Sequence, residues 1–155
     1  MKIPYAVGRC GGTTSHLSTE IRDLKNFADE RGILSQIFND DLPFQVKRMY
    51  TVYPRKGIIR GLHGHKKEWK AFWVISGAAK FGVIPMPSGD HKTLTLDHRK
   101  PQLLIVPPEH YNGFVALDDV TVVVCLSSLT LTESTADDYR VEPFHFGDIW
   151  KVEER

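Results

Sequence analysis

The sequence predicts a single, mainly β domain built as a sandwich or barrel. Three observations carry this. Short apolar segments rich in Val, Ile, Phe and Tyr recur along the chain, clusters of turn-forming residues separate them, and helical periodicity surfaces only once. With 155 residues, 41% hydrophobic and 25% charged, the chain can bury one full core, and a second domain is not expected.

In chain order, the candidate strands are "ILSQIF", "FQVKRMYTVY", "KAFWVIS", "AAKFGVI", "TLTLD", "QLLIVP", "GFVAL" and "VTVVVCLSSL". Between them stand "PRKG", "MPSGD", "DHRKP", "PPEHYNG" and "LDD", which supply turns. Residues 1–26 read as an N-terminal extension of the single domain spanning 1–155. At its end, Leu17, Ile21, Leu24 and Phe27 fall three and four apart, with Ser18 or Thr19 available as a cap, and this spacing predicts a short helix. The tail "DDYRVEPFHFGDIWKVEER" alternates aromatic and charged residues and is expected to close the domain as an irregular segment.

Composition excludes some classes of function. A net charge of +1, with Lys and Arg scattered among acids, leaves no basic face for a nucleic acid backbone. No apolar run is long enough to span a bilayer, and "MKIPYAVGRCGGTTSH" lacks the apolar core of a signal peptide. A soluble cytoplasmic protein is expected, with Cys10 and Cys125 reduced rather than bridged.

The stretch "RGLHGHKKEWKAFWVISG" carries the chemistry. On a strand, residues two apart share a face, so Gly61, His63 and His65 point together and both imidazoles can meet one ligand. They could hold a metal ion or move a proton. An adjacent ammonium at Lys70 would repel a cation, yet it would stabilise the oxyanion formed when a proton leaves carbon beside a carbonyl. A base paired with an oxyanion holder implies enolisation.

Gly57, His63 and His65 resemble the first half of the cupin pattern G-x5-H-x-H-x(3,4)-E-x6-G, a signature of small jelly-roll-like β-barrels. Trp69 and Lys70 stand where its glutamate ligand falls, with Glu68 one place early, and Asn112 in "PPEHYNGF" replaces the last histidine. Two of the three or four ligands that such a metal needs are in place, so no metal and no redox cofactor are expected. More narrowly, "FADERGILSQIF", "GIIRGLH", "KAFWVISG" and "VPPEHYNGF" resemble the dTDP-4-dehydrorhamnose 3,5-epimerases. "LPFQVKRMYTVY" and "HGHKK" resemble the dTDP-sugar 3,4-ketoisomerases. The similarity covers roughly residues 27–140.

This resemblance implies His63 as the base acting beside the C4 carbonyl, Lys70 as holder of the enolate oxygen, and His65 as the source of a second proton. It further implies Arg31 and Arg60 at the nucleotide or diphosphate, where a guanidinium fork suits phosphate oxygens. Alternation places Arg60 opposite His63, so a bulge, the strand's start or a shared subunit interface must bring it in. Tyr111 is expected to stack on the nucleotide base, ahead of Trp69 and Trp73, and Asn112 to bond a sugar hydroxyl. The epimerases' acidic tyrosine falls near Cys125 and is missing, with Tyr50 or Tyr53 as replacements. A carboxylate that orients the base is sought at Glu142, with Asp148 as rival. The implied activity is isomerisation of a nucleotide-activated 4-keto-6-deoxy sugar, by epimerisation at C3 or at C3 and C5, or by 3,4-keto migration, in a homodimer. Two alternatives stay open: a metal-dependent cupin oxygenase recruiting His110 or Glu68, and a non-catalytic nucleotide-sugar-binding cupin.

Overall fold

Each strand presents side chains alternately to two sides, and in this chain both sides are covered. The computed structural model describes residues 17–153. One antiparallel sheet is ordered β1 (Glu20–Asp23), β9 (Gln102–Val106), β6 (Lys70–Ser76), β11 (Val122–Ser127) and β4 (Arg48–Val52). Facing it is a second, ordered β12 (Tyr139–Arg140), β5 (Ile59–His65), β10 (His110–Ala116), β7 (Ala78–Pro85) and β8 (Lys92–Asp97). A separate hairpin joins β2 (Lys25–Asp29) to β3 (Gly32–Gln36). No helix among the described residues is long and apolar enough to cross a membrane.

Three apolar layers result. Phe72, Phe81 and Phe114 meet between the sheets, with ring centroids 5.1–6.3 Å apart, among Val74, Val83, Leu104, Val106 and Val123. Leu103, Ile105, Val124 and Leu126 face outward from the first sheet, where Leu42, Phe44 and Val46 cover them. Leu62, Ile84, Tyr111 and Val115 face outward from the second, where the tail lays Ile149 and Trp150 over them. Double coverage explains why "LLIV" is continuously apolar: Leu104 and Val106 enter one layer, Leu103 and Ile105 the other.

The space between the sheets changes character along its length. Towards one end the inward positions turn polar: Arg48 and Tyr50 on β4, Lys70 on β6, Cys125 on β11, His63 on β5 and Asn112 on β10. β5 adds Arg60 to this face by a bulge. Its partner β10 pairs Asn112 with His63 and Phe114 with Arg60, so three steps on β5 oppose two on β10. Gly61 makes this possible. Its φ is +141°, and a Cβ there would come within 2.6 Å of the Gly113 Cα, so both the backbone angle and the close approach exclude larger residues.

The short helix expected near residues 17–27 is not formed. That stretch instead contributes β1, whose Ile21 pairs with Leu104, and β2. Leu24 is buried, whereas Leu17, Ile21 and Phe27 are exposed, so the four apolar residues never share one buried face. A short helix is marginal without such a face, and the open edge of β9 satisfies the backbone instead. The helix that does form, α1 (Leu131–Ala136), begins at a capping box: Thr130 accepts from the Glu133 amide, and Glu133 accepts from the Thr130 amide. Cys125 is buried, and Cys10 lies outside the described residues.

The indole of Trp150 closes the outer layer. It lies against Gly82 and Gly113, each of which leaves space for it, and donates from Nε1 to the Pro143 carbonyl at 2.8 Å. Trp150→Ala should cost about 3–5 kcal/mol in chemical denaturation, whereas Val152→Ala, at an exposed position two residues on, should cost under about 0.5 kcal/mol.

Candidate active site

The polar end of the sandwich encloses a cavity of about 480 Å³, within the range of small-molecule sites. Five of the seven residues singled out from sequence line it: His63, His65, Lys70, Arg60 and Asn112. Arg48, Tyr50, Cys125, Asp138 and Arg140 join them, and Leu131, Ser134 and Thr135 of α1 form part of the wall.

His63 is half-buried, and its Nδ1 lies 3.2 Å from Asp138 Oδ1. Asp138 also accepts from Arg140 Nε at 2.7 Å. Burial lowers the His63 pKa, and the Asp138 carboxylate opposes this while Arg140 and Lys70 add to it, so the ring is neutral near pH 7. With Nδ1–H turned to the carboxylate, the Nε2 lone pair remains for a substrate proton. Burial would raise the Asp138 pKa, but its bonds to Arg140 and His63 bring it below the usual carboxylate value, so it stays ionised.

Behind the cavity lies Glu68, its side chain fully buried. Ser134 Oγ donates to Oε2 at 2.7 Å, Ser127 Oγ donates to Oε1, and Arg48 Nη2 donates to Oε1 at 3.2 Å. His65 Nδ1 is 3.0 Å from Oε2, bent away from a straight hydrogen bond, and Lys70 Nζ is 3.9 Å from the same oxygen. Burial alone would raise the Glu68 pKa, yet His65, Lys70 and the two serines bring it down to about 2. Burial lowers the Lys70 pKa, and Glu68 is the largest influence restoring it. The turn carrying Glu68 is fixed from outside: the buried Asp137 carboxylate accepts the amides of Lys66, Lys67 and Glu68 at 2.8–3.2 Å.

Tyr50 and Cys125 sit opposite each other on β4 and β11. Burial raises both pKa values, the thiol to about 11; Cys125 raises that of Tyr50 further while Tyr50 lowers that of Cys125, so the phenol is protonated at neutral pH and able to donate. Tyr53, the other candidate acid, is exposed and lies outside the cavity lining.

Some expectations are corrected. Tyr111 does not face the cavity: β10 begins at His110, so alternation that turns Asn112 inward turns Tyr111 outward, where it packs beside Phe146 at 5.7 Å. Trp69 stacks on Phe44, and Trp73 packs in the same outer layer, in keeping with an alternation that sets it opposite Lys70. The carboxylate beside His63 is Asp138, neither Glu142 nor Asp148; Glu142 is exposed and Asp148 accepts from the Trp150 amide. Arg31 lies on the exposed β2–β3 turn, ion-paired with Asp29, and does not line the cavity of its own chain. His110 Nδ1 bonds the Pro108 carbonyl at 2.9 Å, and among the described residues no three His, Cys, Asp or Glu side chains are grouped to hold a metal ion. Asp138, Asp137 and Arg48 were not anticipated. The Thr130–Glu133 capping box was the available signal, because it marks a helix whose end delivers both aspartates.

Known proteins share this arrangement of strands. Over 93 residues the chain is 30% identical to TDP-4-oxo-6-deoxy-α-D-glucose-3,4-oxoisomerase of Aneurinibacillus thermoaerophilus, a match taking in 59% of this chain and 66% of that one, just under two thirds of the relative's length. QdtA, a sugar 3,4-ketoisomerase from Thermoanaerobacterium thermosaccharolyticum crystallised with TDP, is similar with a TM-score of 0.70 and 26% identity, covering 81% of this chain and 90% of that one. The dTDP-4-dehydrorhamnose 3,5-epimerase of Bacillus anthracis, with TDP and pyrophosphate bound, is similar with a TM-score of 0.78 at 21% identity, covering 92% and 90%. These likenesses confirm the jelly-roll cupin. A family model described as FdtA: WxcM-like, C-terminal matches residues 17–149, and the chain belongs to that family.

Proposed function

We propose that the protein isomerises a TDP-linked 4-keto-6-deoxy sugar, moving the keto group from C4 to C3 through an enediolate. The observation that carries this is the shared cavity of His63, backed by Asp138, and Lys70. His63 Nε2 takes the C3 hydrogen, the C3–H electrons form a C3=C4 double bond, and negative charge on O4 is met by the Lys70 ammonium. A proton returned to C4 from the His65 side, with the O3 proton passed to the O4 oxyanion, leaves a carbonyl at C3 and a hydroxyl at C4. No atoms or electrons are gained or lost. Return of the proton to C3 on its other face would give epimerisation, so the two outcomes share the first step. Keto migration is favoured by the named 3,4-isomerase relatives and by the absence of a tyrosine at Cys125.

Charge supports an anionic substrate. Arg48, Arg60, Lys70 and Arg140 line the cavity, against Asp138 in the lining and Glu68 behind it. Four cations face two carboxylates, and guanidinium forks suit a diphosphate. Such a substrate also makes the cytoplasm the expected compartment.

We further propose a homodimer formed through the β2–β3 hairpin. Phe27, Ile33 and Leu34 are 59%, 75% and 62% exposed, Phe27 paired with Leu34 on one side of the hairpin and Ile33 on the other, apolar surface that a monomer has no use for. Seating this hairpin on a second copy would give Arg31 a route to the partner's substrate.

Incubated with TDP-4-keto-6-deoxyglucose in deuterated water, the protein should wash deuterium into the sugar ring and yield the 3-keto isomer by NMR. His63→Asn should lower the rate by about 10²–10⁴-fold. An unexchanged ring with the native protein would contradict the assignment.

The pH dependence follows from the base. Activity requires neutral His63 and is lost as pH falls through its pKa. Asp138 raises that pKa, so Asp138→Asn should move the acidic limb of kcat/KM to lower pH, while lowering the plateau by about tenfold or more. An acidic limb moving upward would contradict this pairing.

Light scattering should report a dimer, and Ile33→Asp with Leu34→Asp should convert it to a monomer. A monomeric native protein would refute the hairpin interface.

A further inference from the structure

A buried carboxylate is retained only where donors and opposite charges satisfy it. Every element around Glu68 supplies one: Arg48 from β4, His65 from β5, Lys70 from β6, Ser127 from β11 and Ser134 from α1. Glu68 is absent from the cavity lining, so it acts only through neighbours that reach the cavity. The amides of its own turn are held by Asp137, which makes the carboxylate a fixed point rather than a mobile side chain.

The neighbour it governs most directly is His65. This ring is 3% exposed, and neither ring nitrogen makes a well-aligned hydrogen bond among the described residues. Its Nδ1 stands 3.0 Å from Glu68 Oε2. Two lone pairs would repel at that separation, so Nδ1 carries a proton, and whenever the ring is neutral the free lone pair is on Nε2. His63 and Asp138 show the same pairing, there as a hydrogen bond at 3.2 Å. The cavity therefore holds two imidazoles, each backed at Nδ1 by a carboxylate.

Resting on the isomerase reading above, we propose that Glu68 is a positioning residue that locks His65 with its proton on Nδ1, presenting Nε2 for the second proton transfer, and anchors the Lys70 ammonium beside it. Lys70 is surrounded by Glu68, Asp138, Cys125 and Arg48. The two carboxylates hold its proton and Arg48 works against them. Removing the Glu68 charge lets Lys70 deprotonate earlier, so the basic limb of kcat/KM moves to lower pH.

Long-range proton–nitrogen NMR of protein labelled with ¹⁵N-histidine tests this without substrate. The native protein should show His65 protonated at Nδ1 and bare at Nε2 when neutral, and Glu68→Gln should lose that preference. In kinetics, Glu68→Gln should lower kcat roughly 10- to 100-fold with little change in KM, move the basic limb downward, and be partly restored by Glu68→Asp. A native His65 protonated on Nε2 would overturn the proposal, and so would a Glu68→Gln protein with unchanged tautomer and pH profile. Should Glu68→Gln fail to fold, the native tautomer alone decides. A native protein without turnover but with Nδ1-protonated His65 would refute the isomerase reading and leave the Glu68 assignment standing.

Discussion

A strand can offer only every second side chain to a cavity, and this site exists because β5 breaks that rule once. The bulge at Gly61 turns Arg60 to the same side as His63 and His65, while Leu62 and Gly64 stay on the outer face. Without it, the arginine would lie among the apolar residues under the tail. The cost is met by two glycines: Gly61 and Gly113 approach so closely that neither strand tolerates a Cβ there. One irregularity thus links backbone geometry to the placement of a guanidinium beside an imidazole.

The second organising feature is the balance of charge among the buried groups at the cavity. Lys70 is buried and Glu68 more so, and each makes the other tolerable. At low dielectric their influence on protonation is strong, which keeps the carboxylate ionised and supports the ammonium against desolvation. His63 experiences the opposite bias. Burial and neighbouring cations favour its neutral form, which suits a base, while Asp138 stands ready to stabilise the imidazolium once a proton arrives. The imidazole, the ammonium and the two carboxylates therefore take their protonation from their surroundings rather than from their intrinsic pKa values.

Much of this was legible in the chain. The strands, their turns and the inward direction of His63 and His65 followed from period-two alternation, and Lys70 followed from its place at the start of the next strand. Asn112 was legible through its motif. Tyr111 was misread because its segment looks like a polar loop, although the strand begins one residue earlier and its parity sends the ring outward. Asp138 lies 75 positions from His63, and no local pattern reports a contact at that range. Residues 17–27 had helical spacing, but spacing speaks only of a possible face, and the free edge of β9 decided the outcome. Glu68 was visible as a misplaced metal ligand, and its burial beneath Arg48, His65 and Lys70 could emerge only from the packed structure.

The most direct test of the central claim is a crystal structure of the His63→Asn protein with the 4-keto sugar nucleotide bound. The account predicts the C3 hydrogen turned towards residue 63, and the C4 oxygen within hydrogen-bonding distance of Lys70 Nζ. A sugar bound with C3 facing away from residue 63, or with its C4 oxygen on the opposite side of the ring from Lys70, would contradict it.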